Sequence, residues 1–146
     1  MVALGASNTW GKGVARGQAY PAHLRRLLAA RGIHVRVRNA GINGNTTAQM
    51  RSRLARVITA DTRVVLLQPG GNDRRRGTPQ HVRRANVRAI KRRLRARGIA
   101  VVMVRNRLIR RVARSFPRPD GQRFLGPGYR AMAARLLPRV VRALRR

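Results

Sequence analysis

Four short apolar segments, separated by stretches with helical periodicity, constrain the fold of this chain more than any other feature of its sequence. The segments span residues 2–4, 33–38, 64–67 and 99–104. The third is continuously apolar, which is typical of a strand buried on both faces of a parallel sheet. Strands that alternate with helices form such sheets through right-handed crossovers, with helices on both faces. The sequence therefore predicts one three-layer α/β/α domain over residues 1–146, with a doubly wound, flavodoxin-like parallel sheet of four to five strands.

Amphipathic stretches predict the helices that connect these strands. They span residues 20–31, about 47–57, 79–97 and about 128–144. Thr46 is well placed to cap the second helix. Thr78 and Pro79 predict a cap followed by a proline at the first position of the third helix, and Pro138 can bend the last one. The basic stretch between the fourth strand and the last helix is predicted to be a loop.

The charge of the chain is extreme. It has 35 Lys and Arg but only three acidic residues, Asp61, Asp73 and Asp120, which gives a net charge of +32. The basic residues are interspersed with periodic apolar positions, so a disordered basic tail is a poor interpretation. Because neutralising phosphates requires no specific site, we expect non-specific binding to nucleic acid, anionic lipid or other polyanions whatever the function of the protein.

The composition excludes several classes of protein. The chain has no cysteine, which excludes a disulfide framework, a thiolate zinc site and a cysteine nucleophile. No segment approaches the ~20 apolar residues of a membrane span, and residues 1–10 lack the features of a signal peptide. The chain as given is therefore expected to be soluble, with no compartment indicated.

Glycine- and asparagine-rich blocks mark the ends of the predicted strands. They are Gly5-Ala6-Ser7-Asn8-Thr9-Trp10-Gly11, Asn39-Ala40-Gly41-Ile42-Asn43-Gly44-Asn45-Thr46-Thr47 and Gly70-Gly71-Asn72-Asp73, and a fourth block, Asp120-Gly121-Gln122-Arg123, precedes the last helix. In open α/β sheets, ligand sites lie beyond the carboxyl ends of the strands. The blocks are therefore where a functional site is expected.

In order, spacing and position, the four blocks resemble those of the SGNH (GDSL-type) hydrolase superfamily, particularly its small esterase and lysophospholipase-like members. The resemblance covers nearly the whole chain. It implies that Ser7 is the nucleophile, and that the Ser7 N–H, the Gly44 N–H and the Asn72 side-chain amide form the oxyanion hole. Asp120 matches the acid that orients a catalytic histidine. The implied reaction is hydrolysis of a small ester or thioester substrate, which requires no cofactor.

The chain departs from the family pattern at two positions. Arg123 stands where the family has its catalytic histidine, and Ala6 stands where the first block of the family has aspartate. A guanidinium remains protonated and cannot accept the serine proton, so Arg123 is expected to pair with Asp120 instead. We therefore expect a catalytically impaired hydrolase.

The remaining histidines offer no obvious replacement for the missing base. They are His23, His34 and His81. None of them follows the carboxyl end of a predicted strand, so none is expected to act on Ser7. No second imidazole or carboxylate lies at ligand spacing from them, and a metal site is not expected.

A second functional class stays open, namely a non-catalytic, highly cationic scaffold, engineered or natural, that binds polyanions or nucleic acid. The absence of glutamate from so charged a chain supports it. Against it, the arginines of the third helix surround that helix, and Trp10, Tyr20 and Tyr129 are not interleaved among them as stacking platforms. The sequence also leaves open whether arginines 110, 111 and 114, which border the predicted site, attract an anionic substrate.

Overall fold

Four parallel strands form a single sheet in the part of the chain that the computed structural model describes, residues 1–117 and 125–146. In chain order they are β1 (Val2–Gly5), β2 (Arg38–Gly41), β3 (Val64–Gln68) and β4 (Ala100–Met103). Their order across the sheet is β2-β1-β3-β4. Helices cover both faces, so the predicted three-layer α/β/α class with a four-stranded parallel sheet is confirmed.

Seven α-helices lie in the described ranges. They are α1 (Ser7–Trp10), α2 (Tyr20–Ala29), α3 (Thr47–Val57), α4 (Asn72–Arg75), α5 (Gln80–Ala96), α6 (Asn106–Ser115) and α7 (Gly126–Leu144). None of these described helices is long and apolar enough to cross a membrane. Thr46 caps α3 as predicted: its hydroxyl accepts a hydrogen bond from the Gln49 N–H at 3.3 Å, and the Gln49 side chain accepts one from the Thr46 N–H at 2.9 Å. Such caps contribute about 1 kcal/mol.

Alternate residues of the central strands pack into two separate apolar clusters. Ala3 and Leu66 face one cluster with α2, α6 and α7, whereas Leu4 and Leu67 face the other with α3 and α5. All four side chains are fully buried. Because successive strand residues point to opposite faces, a run without polar residues is what this two-sided burial requires.

The predicted position of the second strand is wrong. Residues 33–37 lie outside any strand, and β2 begins at Arg38, which pairs with Val2 at the start of β1. Ile33, Val35 and Val37 do alternate with exposed residues, as predicted, and are half-buried. Ile33 and Val35 pack on the core, but the ladder with β1 includes only residues 38–41 of this stretch.

Two further predictions are corrected by the structure. The basic stretch predicted to be a loop contains α6, in which Ile109 and Val112 are buried in the core. The apolar residues of this stretch, at positions 108, 109, 112 and 113, do recur at helical spacing, and the prediction did not use that period. Pro79 is the N-cap residue of α5, and the Thr78 side chain does not cap that helix. The last helix, α7, continues through Pro138.

Candidate active site

Ser7 follows β1 after one residue, Ala6, and is the first residue of the single-turn helix α1. The Ala6 carbonyl oxygen accepts hydrogen bonds from the Thr9 N–H at 3.0 Å and the Trp10 N–H at 2.9 Å, which fixes the tight turn. The Ser7 side chain is half-buried. Within the described residues its hydroxyl has no hydrogen-bond partner. The turn therefore presents a hydroxyl at the carboxyl end of a central strand.

Gln68, the last residue of β3, stabilises this turn through hydrogen bonds. Its side chain is fully buried, and its Oε1 accepts hydrogen bonds from the Ala6 N–H at 3.0 Å and the Thr9 hydroxyl at 3.1 Å. The Tyr20 hydroxyl lies 3.4 Å from the Thr9 hydroxyl, and burial raises the pKa of Tyr20, which keeps the phenol protonated. The sequence analysis missed Gln68, although a polar residue closing a buried apolar run is a signal of such a role.

Gly41, the last residue of β2, lies directly against the backbone of α1. A Cβ at this position would lie 2.2 Å from the Trp10 nitrogen and 2.7 Å from the Thr9 carbonyl carbon. Because both neighbours are backbone atoms, only a residue without a side chain allows β2 and the Ser7 turn to approach this closely.

The loop that carries Gly44 meets the loop that carries Asn72. Gly44 has a left-handed φ of 73°, and its carbonyl oxygen accepts a hydrogen bond from the Arg76 guanidinium at 3.2 Å. The buried Asn72 side chain donates from Nδ2 to the Asn45 carbonyl oxygen at 2.9 Å and accepts at Oδ1 from Arg75. These two contacts orient the Asn72 amide, and they leave its second N–H for another acceptor.

Asp73 joins the same two loops beneath the surface. Its buried carboxylate accepts hydrogen bonds from the Thr47 N–H at 3.1 Å and from the Thr47 hydroxyl, to which the Asn86 amide also donates at 3.2 Å. A negative charge at the first residue of α3 is favoured by the helix dipole. Each donor would otherwise be buried without a partner, which costs about 1–3 kcal/mol.

Arg53 on α3 connects the first block to the second. Its guanidinium donates to the Gly5 carbonyl oxygen at 3.2 Å and to Asn45 Oδ1 at 2.9 Å. Burial, and then the nearby charge of Arg38, lower the pKa of Arg53. One side chain that the sequence analysis did not single out therefore binds a backbone carbonyl of the first block and a side-chain oxygen of the second.

The structure brings three of the five predicted site residues to one edge of the sheet. Gly5 lies opposite Gly41 and Gln68 in the register, so Ser7, Gly44 and Asn72 all follow aligned strand ends. The other two, Asp120 and Arg123, fall in residues 118–124, outside the described part of the chain.

None of the three histidines is hydrogen-bonded to Ser7 in the described part of the chain. His23 on α2 lies 3.1 Å from the Arg26 guanidinium through Nδ1, and burial, followed by the charges of Arg26 and Arg130, lowers its pKa. His34 and His81 are exposed. Across residues 1–117 and 125–146, no group of three or more His, Cys, Asp or Glu side chains could hold a metal ion.

Two adjoining cavities open beside the Asn72 loop. The larger, of about 600 Å³, begins at Gly70 and Gly71, the two residues before Asn72. The smaller, of about 390 Å³, shares Arg83 and Asn106 with it. Both volumes are in the range of small-molecule sites.

Comparisons with known proteins agree with this architecture. The family model of the GDSL-like lipase/acylhydrolase family matches residues 3–145. The solved structure of AlinE4, described as an SGNH-hydrolase family esterase, is 34% identical, with a TM-score of 0.65 and coverage of 70% of this chain and 56% of AlinE4. This chain therefore spans little more than half of AlinE4. No curated protein sequence matches the chain significantly.

Two more distant structures share the fold over almost their full length. TesA is 23% identical, with a TM-score of 0.76 and coverage of 99% of this chain and 98% of TesA. The psychrotrophic esterase EstA from Pseudoalteromonas sp. is 16% identical, with a TM-score of 0.80 and coverage of 97% of each chain. At these identities the similarity extends to the fold alone.

Proposed function

The chain belongs to the GDSL-like lipase/acylhydrolase family, and on that premise we propose that it hydrolyses carboxylic esters or thioesters through Ser7, at a low rate because its general base is replaced. The observation that carries this proposal is the Asn72 amide. It is buried and oriented by Asn45 and Arg75, with one N–H left over, and it follows the same edge of the sheet as Gly44 and Ser7. The remaining N–H of this oriented amide is a donor that the carbonyl oxygen of a bound ester could use.

In the proposed reaction the Ser7 oxygen attacks the carbonyl carbon of the substrate, and the carbonyl oxygen becomes an oxyanion. Three donors would stabilise it, namely the backbone N–H groups of Ser7 and Gly44 and the free N–H of Asn72. Collapse of the tetrahedral intermediate expels the alcohol or thiol and leaves an acyl-enzyme, which water then hydrolyses. One such donor contributes about 10²–10³ in kcat.

The step without an assigned group is removal of the Ser7 proton. Across the described residues, no imidazole or carboxylate is hydrogen-bonded to the Ser7 hydroxyl, and the family histidine position carries Arg123. Positioned donors alone retain about 10³–10⁴ of rate enhancement over water in serine hydrolases. A slow but measurable esterase is therefore the expected behaviour.

We expect a fluorophosphonate probe to label the protein once, at Ser7, and p-nitrophenyl acetate to be hydrolysed slowly in a Ser7-dependent way. Ser7→Ala removes the nucleophile and should abolish both signals. Asn72→Ala removes one oxyanion donor and should lower kcat by about 10²-fold. Intact-mass spectrometry and p-nitrophenol release measure the two signals.

Ser52→Ala is the matched control, because Ser52 is an exposed serine on α3. It should leave labelling and hydrolysis unchanged. Labelling or turnover that persists in Ser7→Ala would show that Ser7 is not the nucleophile, and the proposed function would then be wrong.

The alternative function, a cationic scaffold that binds polyanions or nucleic acid, makes a separate prediction. The one ion pair of the described residues is between Arg36 and Asp61, at 3.0 Å on the surface, and the carboxylate of Asp73 is turned inward. The surface charge is therefore largely uncompensated. We expect binding to duplex DNA of any sequence, with log Kd rising against log salt by about 0.9 per phosphate contacted. Sequence-selective binding that persists at high salt, measured by fluorescence anisotropy, would contradict this expectation.

A further inference from the structure

The larger cavity begins at Gly70 and Gly71, the two residues before Asn72, which is one of the proposed oxyanion donors. A Cβ on Gly70, which lines the cavity, would lie 3.4 Å from the Ala6 Cβ and 3.8 Å from Asn72 Nδ2. The Gly70 carbonyl oxygen accepts hydrogen bonds from the Arg83 guanidinium at 3.2 Å and the Asn106 amide at 3.4 Å. Gly70, which forms part of the cavity wall, is therefore held in place close to the Asn72 amide, the group proposed to bind the reacting carbonyl oxygen.

Among the described residues, the cavity is lined by positive charge without a neutralising partner. Arg74, Arg83 and Arg110 line it, and the described lining residues include no carboxylate. Of the carboxylates of the described residues, that of Asp61 pairs with Arg36 and that of Asp73 is bound to Thr47. Arg83 uses one N–H group on Gly70, and the remaining donors of the three guanidinium groups have no anionic acceptor in this part of the chain.

The floor of the cavity is apolar. Ile109 and Ala113 of α6 line it between the arginines. The adjoining cavity continues the apolar surface with Val87 and Met103 and shares Arg83. A ligand that fits both properties has a short apolar stretch that ends in an anion.

We propose that this cavity binds the acyl chain of the substrate, and that the preferred substrates are esters whose acyl chain ends in a carboxylate, that is, monoesters of dicarboxylic acids. The assignment of the bound group as an acyl chain rests on the proposed function, whereas the anion site itself does not. Guanidinium groups bind carboxylates through paired, charge-assisted hydrogen bonds. The floor of Ile109 and Ala113 accommodates the methylene groups between the ester and the carboxylate.

The general cationic field of the protein is the competing explanation, and it makes a different prediction. A field from the whole surface attracts any anion and is screened within about 8 Å at physiological salt. A site made of Arg74, Arg83 and Arg110 acts by contact and persists at that salt. Removing arginines from the cavity must therefore have a different effect from removing the same charge elsewhere.

The test compares the double variant Arg74→Gln/Arg110→Gln with Arg92→Gln/Arg95→Gln at about 0.15 M salt. All four side chains are exposed, and the two variants lose the same charge, but only the first pair lines the cavity. Arg83 is kept because it holds Gly70. The substrates are the p-nitrophenyl monoester of adipic acid and its terminal carboxamide, which differ only in the charge at the end of the chain.

We expect the parent to prefer the carboxylate ester, with a kcat/KM ratio about tenfold above that for the carboxamide. The cavity variant should lose this preference, and the Arg92→Gln/Arg95→Gln control should keep it. An equal loss in both variants, or no preference in the parent, would overturn the proposal.

A binding measurement separates this proposal from the proposed function. Calorimetric titration with adipic acid monoamide, compared with adipic diamide, reports the anion site without any hydrolysis. Binding of the monoamide that weakens about tenfold only in the cavity variant supports the anion site, even if no ester is turned over. Equal weakening in the cavity and control variants would refute the site, even if the protein proves to be an esterase.

Discussion

Arg123→His is expected to raise the rate of ester hydrolysis by about 10²–10⁴-fold, the usual contribution of a positioned general base. Adding Ser7→Ala in that background is expected to abolish the gain. The physical reason is that a guanidinium cannot accept a proton, whereas an imidazole beside Asp120 supplies both an acceptor and a group whose tautomer the carboxylate fixes. The substitution also removes a cation that is expected to occupy Asp120.

The size of the gain depends on how firmly the Ser7 turn is held. The family has aspartate where this chain has Ala6, but Gln68 accepts the Ala6 N–H at 3.0 Å and the Thr9 hydroxyl at 3.1 Å. These contacts provide a support for the turn from β3, and they favour a recovery within the expected range.

The measurement is hydrolysis of p-nitrophenyl acetate at neutral pH by the parent, the two single variants and the double variant. The rate of Arg123→His should also rise with pH through the titration of an imidazole, near its ordinary pKa of about 6.5. A parent that turns over rapidly in a Ser7-dependent way, and that Arg123→His does not change, would show that another group already acts as the base.

Gly41→Ala is expected to lower the free energy of unfolding by about 3 kcal/mol, the upper end of the usual cost of overpacking. The added Cβ would lie 2.2 Å from the Trp10 nitrogen and 2.7 Å from the Thr9 carbonyl carbon. Neither atom belongs to a flexible side chain, so the whole of α1 must shift away from β2. The same shift displaces Ser7, and labelling by a fluorophosphonate should fall with stability.

Urea denaturation followed by circular dichroism measures this effect, and Gly17→Ala is its matched control. A Cβ on Gly17 meets no atom within 4 Å, and its φ is not left-handed. The control should change stability by less than about 1 kcal/mol. A Gly41→Ala variant that unfolds at the same urea concentration as the parent would show that β2 and α1 can separate without cost.

The fold was largely predictable from the sequence because buried parallel strands leave a simple pattern. Residues 64–67 are apolar without interruption, and β3 is the most buried strand. The position of β2 was not predictable, because Arg38–Gly41 has few strand-forming residues and is selected by its pairing with β1. Helix α6 was missed although its apolar residues recur at helical spacing, because the stretch was interpreted from its charge alone.

The candidate site was predictable only where a residue lies in a recognisable block. Ser7, Gly44 and Asn72 were singled out for this reason, and the structure places them at one edge, although their catalytic roles remain predictions. Gln68 and Arg53 act on backbone groups that are distant in sequence, over separations of 62 and 48 residues. No local pattern records such contacts, so they required the structure.

The buried contact between Asp73 and Thr47 has a consequence for motion. It connects the start of α3 to the turn that carries Asn72, and Asn86 connects α5 to the same group of hydrogen bonds. Local opening in proteins occurs in cooperative units. Movement of any one of these three segments breaks a buried hydrogen bond to another. The start of α3 and the turn that carries Asn72 should therefore open together and not one at a time. A binding site built on such a unit changes its shape as a whole, and its two sides do not adjust independently to a ligand.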